Sequence, residues 1–216
     1  MNPKTSPQNP PALIQTLAAL LVAGFGLMTL AGCATTAELP PQITQDLGQL
    51  RGQLLQGKAQ VQTTCNAARD LTQRPQAQLE PQITQLVKAI AGLSDLATNH
   101  RQQFTTAEER ADAYFAHWDK QMSQLSADLA EEGRERRAES MESFAELKAR
   151  TQELKKEFRP FMLSLLEVSR YLQTDTTAAG VRVVTPRIKG ALEYENAIMA
   201  KIDAVVAQID AMRGGK

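Results

Sequence analysis

Apolar residues recur along most of this chain in alternating steps of four and three. From Ile43 the series runs through Leu47, Leu50, Leu54, Gly57, Val61, Thr64, Ala68 and Leu71. A seam of that period is the mark of helices packing side by side. Pro40-Pro41 precedes it, and proline suits the first turn of a helix, where its missing N–H would have no intrahelical partner. The pattern predicts a helix over 41–72. Gly57 and Thr64 weaken the middle of its seam, and Gly48 and Gly52 lower its helix propensity. The opposite face, with Gln42, Gln45, Gln49, Gln53, Gln56 and Gln60, reads as a neutral solvated surface.

Residues 72–80 contain Pro75 and close on Glu80-Pro81, which predicts the turn of a helical hairpin and a restart of helix at 81. The second seam passes through Ile83, Leu86, Ile90, Leu93, Ala97, His100, Phe104, Ala107, Ala111, Tyr114, Trp118, Gln121 and Leu125. A helix over 81–131 would be roughly 75 Å long, so an elongated molecule is expected. From Ala130 to Ser140 the stripe vanishes, Gly133 sits in the gap, and the stripe resumes at Met141, Phe144, Leu147, Thr151, Leu154 and Phe158 in a different phase. A reversal near 130–135 is the favoured reading; one unbroken helix to 158 is the rival. The next helix, 134–174, crosses Pro160 with its stripe intact, which predicts a kink rather than a stop. Phe161-Met162-Leu163-Ser164-Leu165-Leu166 is the most apolar stretch beyond residue 33 and the expected middle of the core. Residues 174–185 read as a connector, and Thr185-Pro186 as the cap of a last helix over 186–212. The fold class is therefore all-α: an elongated antiparallel helical bundle, or coiled-coil hairpin, of about four helices. Its single domain is expected over 41–213.

The first forty residues follow a different rule. An apolar run from Leu17 to Met28 is followed by Leu30-Ala31-Gly32-Cys33. A short apolar core closed by small residues is a secretory signal, too short for a confident membrane span. Leu-Ala-Gly-Cys in that position resembles the lipobox of bacterial lipoproteins, whose signal is cut between residues equivalent to Gly32 and Cys33 and whose new N-terminal cysteine carries lipid. The resemblance implies a signal peptide over 1–32, a lipid on Cys33, a tether over 33–40 and a chain facing the periplasm. Ala34 is not the Asp that often marks retention at the inner membrane, which favours the outer membrane.

Composition narrows the partners. Removing the signal takes Lys4 away and leaves 23 Lys+Arg against 24 Asp+Glu, a net charge of about −1. No basic excess exists to neutralise phosphates, so nucleic acid is not an expected partner. With Cys33 acylated, Cys65 has no partner in its own chain; it reads as a small helix residue, or else as a site of intermolecular pairing.

A second resemblance covers roughly 80–213. Ala113-Tyr-Phe-Ala-His-Trp-Asp119, then Arg159-Pro160-Phe161, then Tyr171-Leu172 and a closing helix are similar to motifs of a bacterial envelope-protein family that carries a domain of unknown function. Phe115, Trp118, Asp119, Pro160, Tyr171 and Leu172 match that family's pattern; its Lys-His-Asn positions after the Tyr-Leu pair do not. The resemblance implies a long-helical envelope protein and carries over no catalytic residues.

Candidate chemistry is sparse. The histidines, His100 and His117, lie seventeen residues apart, whereas a helical metal site commonly pairs them three or four apart. No metal or cofactor is expected, and carboxylates spread along exposed faces do not suggest a paired acid and base. Trp118, with Tyr114 and His117, is the candidate partner contact. The leading expectation is a non-enzymatic, lipid-anchored scaffold or adaptor presenting helix faces to envelope proteins or to a second copy of itself, with Gly57, Thr64 and His100 as weak stretches a partner helix would cover. The alternative is a carrier or sensor of a small apolar or membrane-derived ligand, held between helices around Phe158–Leu172. Growth with radiolabelled palmitate should label the wild-type protein and leave a Cys33→Ala variant unlabelled; equal label on both would remove the anchor.

Overall fold

A computed structural model describes residues 39–214. They form five helices: α1 (Pro41–Gln73), α2 (Glu80–Met122), α3 (Ala127–Thr174), α4 (Ala178–Leu192) and α5 (Glu195–Met212). No strand occurs among the described residues. α1, α2 and α3 are three arms of an antiparallel bundle, and α4 with α5 makes the fourth, interrupted at Glu193-Tyr194.

α1 buries the predicted seam, Ile43, Leu47, Leu50, Leu54, Val61, Thr64, Ala68 and Leu71, and widens it with Cys65 and Ala67. Its C-terminal carbonyls would lack partners in an isolated helix. Buried Gln82 supplies them: its Nε2 donates to the carbonyls of Asp70 (3.1 Å) and Arg74 (3.0 Å), and its Oε1 accepts from the Gln76 N–H (2.9 Å). One glutamine thus ties the turn to the helix on either side. Thr64 is no weak point. It is fully buried, and its hydroxyl lies 2.8 Å from the Gln60 carbonyl and 3.3 Å from the Ala89 carbonyl of α2.

The reversal between α2 and α3 falls earlier than the sequence pattern predicts. α2 ends at Met122 rather than near 131, the turn occupies 123–126, and α3 begins at Ala127, so Gly133 is inside a helix. A Cβ on Gly133 would stand 2.1 Å from the Met122 sulfur. The glycine therefore makes room for the end of α2 and does not form the turn. Nor does the seam lapse over 130–140. It continues through Ala130, Gly133, Arg137 and Ser140, all buried or half-buried, in steps of three and four that lead to Phe144, Leu147, Thr151, Leu154, Phe158 and Phe161. Small residues let the two helices approach, so apolar bulk is missing while packing is not. Met141 is exposed, as are Gln121 and Leu125 (46 %), which lie at the end of α2 and in the turn beyond it.

α3 runs unbroken through Pro160 to Thr174, with Phe161, Leu165, Val168 and Leu172 at most 1 % exposed. The connector predicted over 174–185 is mostly helix. Thr177, not Thr185, caps α4; its hydroxyl accepts from the Gly180 N–H (3.2 Å), and Asp175 accepts from the Thr177 N–H and hydroxyl. Those two bonds hold the Asp175 carboxyl below its ordinary range. A Cβ on Gly180 would lie 2.5 Å from the Asp175 carbonyl, so only glycine fits that cap. Val181, Val184, Ile188 and Ala191 are buried at helical spacing, which overrides Pro186 as a helix start. The Thr185 hydroxyl donates to the Val181 carbonyl (2.7 Å) one turn back.

Register between α1 and α5 is marked by a ladder of ion pairs, Arg51–Asp210 (2.6 Å), Lys58–Asp203 (2.5 Å) and Arg69–Glu195. Partly exposed pairs of this kind contribute about 0–1 kcal/mol each and serve alignment more than stability. Cys65 lies under the last rung, 1 % exposed. Burial, reinforced by the charge of Glu195, pushes its thiol up to about 12. A thiol so buried and so protonated is closed to intermolecular pairing in the folded chain. In the native protein at neutral pH, Cys65 should resist maleimide and react only after denaturation; prompt labelling of the folded chain would contradict this packing.

Candidate functional site

The α1–α2 hairpin brings two weak places in its seams to the same level. Arg110 pairs with Asp46 (2.6 Å) at one end, and Gln60 Nε2 donates to the Ala89 carbonyl (2.8 Å) nearer the turn. Between those ties Gly57 of α1 comes beside Ala97 and His100 of α2, and a cleft of about 250 Å³ opens. Gly57 has no side chain to fill it; a Cβ there would meet nothing within 4 Å. Ala97 is too short to do so. α3 closes the far side with Thr151, Leu154 and Phe158, and Ile202 of α5 also lines the cleft.

Its lining is layered. Leu54, Val61, Leu93, Leu154 and Ile202 are buried, whereas Arg101, Thr105, Gln152 and Lys155 are exposed. The His100 and Phe104 rings, one helical turn apart, lie nearly parallel with centroids 6.5 Å apart. Three polar atoms in the lining residues are shielded from solvent and have no hydrogen-bond partner: His100 Nε2, Gln53 Oε1 and Glu108 Oε1, the last paired in charge with Lys148 (2.9 Å). A buried polar atom without a partner costs about 1–3 kcal/mol, so each is a standing deficit, whereas buried Thr64 and Gln82 are bonded. Burial lowers the His100 pKa from its ordinary 6.5, and the imidazole is neutral at pH 7.

Other hollows are less suited to holding a molecule. One of about 170 Å³ lies beside Leu47, Phe115 and Phe144. Another, about 1000 Å³, borders the α1–α2 turn and the start of α4 at Gln78, Glu80, Lys88 and Thr176, but it is wide open and walled largely by exposed polar residues.

The residues singled out in the sequence fall elsewhere. Gly32 and Cys33 lie outside the described residues. Tyr114 and Trp118 come together at the end of α2, with ring centroids 5.4 Å apart and edge to face. Phe115 joins them, packed edge-on against Phe144 (5.6 Å) and covered by the Arg137 guanidinium at 5.7 Å. His117 is exposed. None of these three candidates touches the cleft. The region Phe158–Leu172, where a ligand cavity was expected, contributes only Phe158; beyond it the core is closed. Gly57 and His100 stand out in the sequence separately, but Gln53 does not. The signal that unites them is hairpin register: folding α1 onto α2 about residues 74–79 sets 57 opposite 97 and 53 opposite 100.

Among the described residues no three His, Cys, Asp or Glu side chains group closely enough to hold a metal ion. No described helix is long and apolar enough to cross a membrane. Comparison with protein families, with curated proteins and with solved structures finds no match to this chain.

Because the pKa of His100 is lowered on folding, the unfolded chain takes up a proton below pH 6.5 that the folded chain refuses. Its contribution to stability is complete above pH 6.5 and is lost as pH falls from there through the folded value. Urea midpoints should therefore fall between pH 7 and pH 5 more steeply for the wild type than for His100→Leu. Parallel slopes would show that His100 is not buried as described.

Proposed function

We propose that this chain is a non-enzymatic lipoprotein of the bacterial envelope, held to a membrane through Cys33, whose helical bundle takes up a small apolar ligand in the cleft between α1, α2 and α3. One observation carries the reading: an apolar cleft of about 250 Å³ opens between α1, α2 and α3. An engineered apolar cavity of about 150 Å³ is enough to admit benzene, so the space suits a molecule somewhat larger. A partner helix would need a strip of anchors over several turns. Toward the α1–α2 turn the seam is closed by Leu86 and Ile90 of α2, and on the other side the cleft adjoins the smaller hollow beside Leu47, Leu50, Ala107 and Ala111. A small ligand fits the cleft better than a helix does, because α1, α2, α3 and Ile202 of α5 all wall it.

The adaptor reading has its own support at the opposite end of α2. Trp118 is only half-buried there, and Leu125 (46 %) and Leu129 (58 %) are exposed at the turn into α3. Both readings share the anchor, an envelope location with the outer membrane favoured by Ala34, no cofactor and no nucleic acid.

Gly57→Met would fill the cleft from a position with open space around it. Wild-type lipoprotein extracted from its native envelope should yield, by mass spectrometry, a small apolar compound near one per chain that Gly57→Met lacks. Identical extracts from the two proteins would set the ligand reading aside, and a dominant cross-linked protein at Trp118 would then establish the adaptor.

A further inference from the structure

We infer that the α2–α3 turn docks on the membrane that holds the lipid of Cys33, with Leu125 and Leu129 entering the interface between headgroups and acyl chains. The inference rests on the anchor reading above and is independent of the cleft. Chain geometry carries it. Leu39, the first described residue, is buried and borders one hollow with Ser140 of α3 and Met212 of α5. α1 therefore starts, and α5 ends, at the level of Ser140. α2 and α3 run on past that level, tied by the Arg137–Asp119 pair (2.7 Å) and by Met122, whose sulfur takes the space beside Gly133. From Ser140 back to the start of α3 at Ala127 is thirteen residues of helix, roughly 20 Å. Six steps of chain join Leu39 to Cys33, and that length spans at most about 22 Å. A lipid on Cys33 thus brings the bilayer about as near to the start of α1 as the turn itself reaches, at the end of the bundle from which the turn projects.

The surface of the turn suits that contact. Residues 121–127 carry no charge. Leu125 and Leu129 are 46 % and 58 % exposed, and Trp118 is half-buried on the last turns of α2. Apolar side chains in an uncharged setting enter the boundary between headgroups and acyl chains. Two leucines are a small surface for a free protein, but on an anchored chain the contact is intramolecular and needs little affinity of its own. Acidic headgroups are not what the turn recognises. Between 117 and 137 five carboxylates face four Lys and Arg side chains, which leaves no basic excess to attract them. A partner protein on the turn would compete with the bilayer for the same space.

The test uses the intact lipoprotein in vesicles of zwitterionic phosphatidylcholine, with a nitroxide label on Gln124→Cys in the turn. A second label, on Ala179→Cys in the first turn of α4 at the far end of α3, is the control; both positions are exposed, and Cys65 is buried. Power saturation should show the label at 124 relaxed more by lipid-soluble oxygen than by a water-soluble nickel chelate, and the label at 179 the reverse. Leu125→Glu and Leu129→Glu together should reverse the order at 124; both residues are exposed, so the core is untouched. Raised salt should leave the wild-type pattern unchanged. Nickel access at 124 equal to that at 179, in protein that still floats with the vesicles, would overturn the contact and keep the anchor. A label at 124 shielded from both reagents would overturn it in favour of a second copy covering the turn. Loss of the oxygen preference in salt would overturn the apolar contact in favour of headgroup charge. Protein that does not float with the vesicles would overturn the anchor itself.

Discussion

The bundle depends on the continuity of the α3 seam. From Ala130 to Leu172 a buried or half-buried residue recurs every three or four positions without a break, and α3 packs against α2, α4 and α5. A seam of this period stays on one side of a helix only if no residue is inserted or lost. α3 holds it across Gly133 and Pro160, two residues that ordinarily interrupt helices. At Gly133 the missing side chain is occupied by Met122. At Pro160 the next seam position is Phe161, fully buried and among the largest side chains of the core; packing around it outweighs the lost backbone hydrogen bond. Slipping α3 by one residue would turn Phe161, Leu165 and Val168 out of the core together.

How far the fold can be read from the sequence follows from what fills a seam. Where it is filled by bulk, as in α1 and in α2 as far as Trp118, periodicity locates the helix and its buried face directly. Between 127 and 140 the same seam is filled by Ala130, Gly133, the stem of Arg137 and Ser140, and a search for apolar bulk finds a gap. Close approach of two helices favours small residues, so the tightest contact reads as the weakest pattern. The fourth arm misleads differently. Thr185-Pro186 has the chemistry of a helix start, but Thr177 and Asp175 form a complete cap two turns earlier, and burial of Val181 and Val184 carries the helix through the proline. Gln82 shows a further limit: its three hydrogen bonds to the α1–α2 turn depend on the fold and leave no local trace.

The candidate site was half legible for the same reason. Gly57, Thr64 and His100 each stand out in the sequence as departures from an apolar seam, and they meet different fates. Thr64 falls opposite Ala89, whose carbonyl it faces at 3.3 Å while Gln60 donates to the same oxygen, so that defect is closed by hydrogen bonds. Gly57 falls opposite Ala97 and His100, where no hydrogen bond between the helices fills the space. Two defects at one level make a cleft; the same defects a heptad apart would make two shallow dents. A protein under selection for stability alone closes such a cleft with one substitution, since a larger residue at Gly57 would raise helix propensity by about 1 kcal/mol and meet no obstacle. The packing of the bundle alone does not explain why the cleft is left open.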